Sequence, residues 1–186
     1  MLAFVGLIIG GSSCVGKTTL AKSLCAPFDL PLVHTDSVLP DNPTLNPLAL
    51  PLEIWDRPPE ELCELLIAAA SAATPYLTRK VENLITSRRG WVLEGERVHP
   101  ELVELCQRAG QARGTFIVET DAGRLHQTLG ERLPGFPELS GSRQRAIVEV
   151  DRLYNLWLID EAAGRGLTCV ASQPWDTLAD RTLAAL

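Results

Sequence analysis

The sequence predicts an α/β fold built on a parallel sheet, and three observations predict it. Short apolar runs alternate with helical segments along the chain. The first run, residues 2–9, is apolar without interruption and ends at Gly10-Gly11, as a central strand covered on both faces would. The 186 residues suit one domain with a core of ordinary size, and 46% apolar with 22% charged residues is a globular balance.

Each element follows in order. Residues 2–9 form the first strand and Lys17–Cys25 a helix. Residues 32–35 form a second strand that closes at Asp36. Residues 39–89 break the rhythm. Pro40, Pro43, Pro47, Pro51, Pro58 and Pro59 keep the first half irregular, and two helices are predicted after it, 59–72 and 75–88, each opened by a proline. This segment reads as a helical insertion lying over the carboxyl edge of the sheet. Trp91–Glu94 is the third strand. A helix over 100–109 has proline in its first turn and Gly110 after its end. Residues 115–119 are the fourth strand, and a helix begins near Arg124. The stretch 133–142 holds Pro134, Gly135, Phe136, Pro137 and Gly141, which makes it irregular. A long helix from 143 to about 163 and a last strand over 167–171 complete a single domain, 1–186.

Charge and cysteine usage exclude several classes of partner. A net charge of −6 argues against a nucleic-acid groove or an anionic membrane surface. The apolar run 2–9 is too short to span a bilayer, and no cationic segment precedes it, so a cytoplasmic protein is expected. Cys14, Cys25, Cys63, Cys106 and Cys169 form no CxxC pair, consistent with reduced, packed thiols. The cations are 14 arginines and only 3 lysines, Lys17, Lys22 and Lys80.

Lys17 belongs to the strongest motif. Gly11-Ser12-Ser13-Cys14-Val15-Gly16-Lys17-Thr18 fits G-x-x-x-x-G-K-[ST] without a mismatch, between a buried strand and a helix. The glycines let successive backbone N–H groups point into one concavity, and the helix opening at Lys17 adds its positive end. Lys17 supplies the point charge for β- and γ-phosphates, the Thr18 hydroxyl suits magnesium, and Thr19 completes the turn. These residues predict a nucleoside-triphosphate site with magnesium.

Two acids stand at strand ends, where ligand chemistry collects in such sheets. Asp36, after Val33-His34-Thr35, is placed to accept a substrate hydroxyl proton or to hold magnesium through water. Glu94 ends Trp91-Val92-Leu93 and is a candidate for metal or substrate, with Gly95 permitting a close approach. Glu96 and Arg97 follow as substrate-side or solvated charges. His34, His99 and His126 read as hydrogen-bonded structural histidines.

The arrangement resembles the small P-loop kinases: nucleoside and nucleoside-monophosphate kinases, shikimate and gluconate kinases, and 2-phosphoglycerate kinase. The resemblance is carried by residues 10–19, by His34-Thr35-Asp36-Ser37, by Val92-Leu93-Glu94-Gly95 and by an arginine-bearing lid segment. It implies a three-layer P-loop NTPase fold whose five-stranded parallel sheet has the order 2-3-1-4-5. It implies a lid over about 124–145 that closes over ATP, with Arg124, Arg132, Arg143 and Arg145 placed to spread phosphate charge; Arg132, which abuts the irregular loop, is the catalytic candidate and Arg124 a nucleotide-binding one. It also implies adenine near Gln173 and Pro174, with Trp175 anchoring the final helix. Arg57, Arg79 and Lys80 are candidates for an anionic substrate. The expected activity is ATP- and Mg-dependent transfer of the γ-phosphoryl group to a small-molecule hydroxyl or phosphate by a monomer or homodimer. A nucleotide-binding regulatory ATPase that engages a protein through 39–89 is the alternative. A GTPase is excluded, because N-K-x-D needs a lysine beyond Lys80.

Overall fold

The computed structural model describes residues 6–47, 52–87 and 89–186. Residues 2–5 of the first predicted strand lie outside these, as do Pro51 and Arg88. Five strands are observed: β1 (Gly6–Gly11), β2 (Leu32–His34), β3 (Trp91–Glu94), β4 (Arg113–Val118) and β5 (Thr168–Ala171). They form one all-parallel sheet in the order β2-β3-β1-β4-β5, as predicted. Six helices surround it: α1 (Lys17–Cys25), α2 (Pro59–Thr86), α3 (Pro100–Arg108), α4 (Ala122–Arg132), α5 (Gly141–Gly164) and α6 (Leu178–Ala185). Among the described residues, no helix is long and apolar enough to cross a membrane.

The alternation along β1 explains the three layers. Leu7 and Ile9 face one side, where they join Leu20, Ala21 and Cys25 of α1 and Leu178 of α6. Ile8 faces the other side, in the larger core with Leu62, Leu66 and Leu77 of α2, Leu102 of α3 and Tyr154 of α5. Both faces of the sheet are thus covered, as an apolar parallel strand requires.

The insertion departs from expectation in one way. Its two predicted helices are one continuous helix, α2, with Pro75 inside it. A proline in a helix costs about 3 kcal/mol by removing a hydrogen bond and crowding the preceding turn. Here the same buried face continues past it, from Ala69, Ala70 and Ala73 to Leu77 and Val81. Burying Leu77 and Val81 alone contributes roughly 3–6 kcal/mol, which outweighs the break. The buried residues of α2 recur along one face and build the larger core, while the insertion's Leu39, Pro40, Asp41, Leu45 and Asn46 line a cavity beside Asp36.

All five cysteines are free; Cys25, Cys63 and Cys106 are buried, and Cys14 and Cys169 partly so. Burial raises the Cys63, Cys106 and Cys169 thiols to about 11, so they stay protonated and pack as small apolar groups.

Candidate active site

The carboxyl ends of β1, β2 and β3 converge, with Ile9 and His34 both in register with Glu94. From Gly11 the chain turns back through residues 12–16 and enters α1 at Lys17. Gly11 has φ +143°, and a Cβ there would strike the Ile117 carbonyl; Gly16 has φ +93°, and a Cβ would strike the Trp175 ring. These two positions need glycine. Between them Cys14 holds φ +57°, a left-handed conformation at a non-glycine residue.

The loop is held by side chains from elsewhere in the fold. Asn155 of α5 donates from Nδ2 to Ser12 Oγ at 2.8 Å, and Ser13 Oγ donates to Glu96 Oε1 at 3.1 Å. Lys17 is buried, its Nζ donating to the Ser12 carbonyl at 2.5 Å. Glu94 Oε1 receives two partners, Thr18 Oγ1 at 2.8 Å and His34 Nδ1 at 2.5 Å. His34 is therefore hydrogen-bonded as expected, but to the acid at the centre of the site. The close approach allowed by Gly95 is taken up by Thr35, whose side chain occupies the place of a Cβ.

A cavity of about 260 Å³ has Lys17 and Thr18 on one side and His34, Asp36, Glu94 and Glu96 on the other. Its donor set suits magnesium. One hydroxyl and one buried carboxylate are hard oxygen ligands, and Mg2+ is ordinarily held by one or two protein oxygens plus phosphates and water. Among the described residues no cluster of three or more His, Cys, Asp or Glu could cage a metal, so the phosphates of a nucleotide would have to complete the shell.

Two further cavities adjoin the loop. One, of about 340 Å³, shares Asp36 and Glu96 with the first and adds Asp41, Asn46 and Arg97. The other, of about 250 Å³, lies on the opposite flank between Gly16, Thr19, Arg132 and Trp175. The Arg132 guanidinium, expected at the transferred phosphate, lines this cavity and not that of Lys17 and Thr18; it stands 5.5 Å from the Trp175 ring centroid, so a flat ring has an aromatic face and a cation to meet there. Gln173 and Pro174 sit just before this wall; the Pro174 carbonyl accepts from Arg181 Nη2 at 2.8 Å.

Other predicted residues lie elsewhere. Arg57 is exposed and paired with Glu61 at 2.8 Å. Arg79 is exposed on α2, two residues from both Leu77 and Val81, hence on the face opposite the core. Neither lines any of the three cavities. Arg124 is half exposed, 3.8 Å from Glu119. Arg143 grips Asp56 through Nε (3.0 Å) and Nη2 (2.8 Å), and this partner holds the Asp56 carboxyl below the usual range. The irregular lid segment narrows to residues 133–140, because α4 ends at Arg132 and α5 starts at Gly141. It carries no arginine of its own and is pinned by buried Phe136 and by Gln144 Nε2, which donates to the Phe136 and Leu139 carbonyls at 3.1 Å.

Sequence reasoning missed Asp151. It is buried on α5 one turn before Asn155, and its Oδ2 has no hydrogen-bond partner. Burial first, then the charge of Glu96, pushes its carboxyl well above the usual range, against the pull of Lys17. A signal existed: Asp151 and Asn155 interrupt the buried stripe Ile147, Val148, Val150, Tyr154, Leu158. A raised native pKa means that the unfolded chain releases this proton first, so stability falls as pH rises above about 4. In Asp151→Asn that loss is absent, and its melting-temperature gain over the parent is larger at pH 8 than at pH 5. Equal gains at the two pH values would show that Asp151 is ionised in the fold.

No family model and no curated protein sequence matches the chain. Solved structures do match over nearly its whole length. A gluconokinase from Sinorhizobium meliloti 1021 superposes with TM-score 0.60 at 17% identity, covering 98% of this chain and 90% of that one. A shikimate kinase from Bacteroides thetaiotaomicron superposes with TM-score 0.53 at 14% identity, covering 98% and 96%. At these identities the likeness is one of fold: the chain has the fold of the small P-loop kinases.

Proposed function

We propose that this protein is an ATP- and Mg-dependent kinase that transfers the γ-phosphoryl group to a hydroxyl or phosphate of a small molecule. One observation carries the reading: Asp36 borders both the cavity of Lys17 and Thr18 and a second cavity large enough for an acceptor. The loop 11–18 holds the phosphates, and Lys17 neutralises charge on the transferred group. Thr18 and Glu94 are the residues that would hold magnesium, and the ion would supply charge neutralisation for the phosphates. For a hydroxyl acceptor, the oxygen bonds to the γ-phosphorus, the β–γ bridging bond breaks to leave ADP, and the hydroxyl proton passes to Asp36 and on to solvent. Arg132 and Trp175 take the adenine ring beside Thr19, with Gln173 and Pro174 at its edge and Arg124 at the outer rim. The segment 133–140 limits water. The working environment is the cytoplasm, with thiols reduced, and the chain acts as a monomer or homodimer. A regulatory role through residues 39–89 finds less support, since α2 spends its apolar face on the protein's own core.

The test is ATP consumption against magnesium and candidate acceptors. ADP release that requires both is expected, with Thr18→Ala and Glu94→Gln each needing about tenfold more magnesium for half-maximal rate, the equivalent of one lost ligand contact worth about 1.4 kcal/mol. Slow consumption that no acceptor accelerates, with unchanged magnesium dependence in both variants, overturns the reading.

A further inference from the structure

Resting on the kinase reading, the charge balance of the second cavity specifies the acceptor's chemistry. Arg97 is the one cation among its described lining residues, and its side chain is nearly inaccessible. Every nitrogen of its guanidinium is engaged: Nε donates to the Leu45 carbonyl at 2.8 Å, Nη1 to Glu96 Oε2 at 2.6 Å and Nη2 to Asn46 Oδ1 at 3.3 Å. Arg97 therefore closes the 40–47 loop onto the sheet and cancels Glu96. Three of its five N–H groups are taken within the protein, and its charge is already met by Glu96. The other Glu96 oxygen accepts from Ser13. Asp36 and Asp41 remain, both exposed to the cavity and neither paired with a cation among the described residues. The walls carry a net charge of about two negatives once Arg97 and Glu96 cancel.

We infer that the acceptor is a hydroxylated amine, a cationic amino alcohol or amino sugar, and not a sugar acid or phosphate ester. Its ammonium group meets Asp41 while its hydroxyl lies at Asp36. A carboxylate entering the same space would face two like charges and no free cation. Arg57 and Arg79, the cations that would have suited an anion, line none of the three cavities.

Two measurements separate this inference from the reading beneath it. Pro40→Cys puts a thiol on the cavity wall, and its labelling by cationic and anionic methanethiosulfonates, read at that peptide by mass spectrometry, reports the local field without any turnover. The cationic reagent is expected to react about tenfold faster relative to free cysteine, as about 1.4 kcal/mol of favourable potential requires. Adding Asp41→Lys should abolish the preference. Equal rates for the two reagents in the parent overturn the inference. Phosphoryl transfer to glucosamine, glucose and glucuronate, which share one ring and differ in charge, is then compared. Glucosamine is expected to lead and Asp41→Lys to shift the order toward glucuronate. Preferred transfer to glucuronate overturns the charge inference and leaves the kinase reading intact. A clear cationic labelling preference, with no transfer to any acceptor, overturns the kinase reading and leaves the field as inferred.

Discussion

Asp36→Asn lowers phosphoryl transfer by about a hundred- to ten-thousandfold, the range of a positioned acid or base, and leaves ATP affinity nearly unchanged. The split follows from position. The phosphates belong to the loop between Gly11 and Thr18, whereas Asp36 stands across the cavity in the short turn Thr35–Ser37. Its nearest side-chain donor, Thr35 Oγ1, is 3.4 Å away, so asparagine breaks no strong contact and the fold is preserved. Calorimetric nucleotide affinity beside transfer to an identified acceptor checks it. If the variant loses ATP binding as severely as turnover, Asp36 belongs to the nucleotide–metal site and not to the acceptor.

Lys17→Ala loses at least about a hundredfold in turnover, as when one preorganised electrostatic donor is removed, and nucleotide binding weakens with it. Lys17 is the lysine of the cavity, and it is buried against the loop it serves. Because its ammonium also donates to the Ser12 carbonyl, alanine leaves that oxygen one partner short, so a melt must accompany the kinetics. Packing of α1 through Leu20, Ala21 and Cys25 is untouched, and a folded variant is expected. An unchanged turnover number in that folded variant would remove this loop from the chemistry.

The phosphate loop was legible because it is local: strand, turn and helix start lie within twelve residues and each uses its own residue type for a local reason. Strand order was implied by the same resemblance and is observed. The insertion was misread because Pro75 is a strong local signal that a long buried face overrides. The use of Arg97 was illegible for another reason. Its partners Leu45 and Asn46 lie some fifty residues earlier, and only the folded chain brings the 40–47 loop to it. His34 was read correctly as hydrogen-bonded, but pattern alone cannot say that its partner is Glu94. Asp151 and Asn155 were open to detection as polar interruptions of an apolar stripe.

The place of β1 in the sheet sets a constraint on synthesis. It is the central strand, yet it is made first: Gly6 pairs with Trp91, and Leu7 with Arg113. A ribosome adding about 5–20 residues per second needs roughly 4–17 s to reach the first partner, and about 1–4 s more for the second. During that interval the apolar strand has α1, β2 and the insertion available but neither of its own strand partners, and unpaired strand edges invite wrong partners. Completion of this sheet is therefore a late, long-range event in the life of the nascent chain. A holding chaperone or slower growth at low temperature should raise the yield of soluble protein more than any change near the active site.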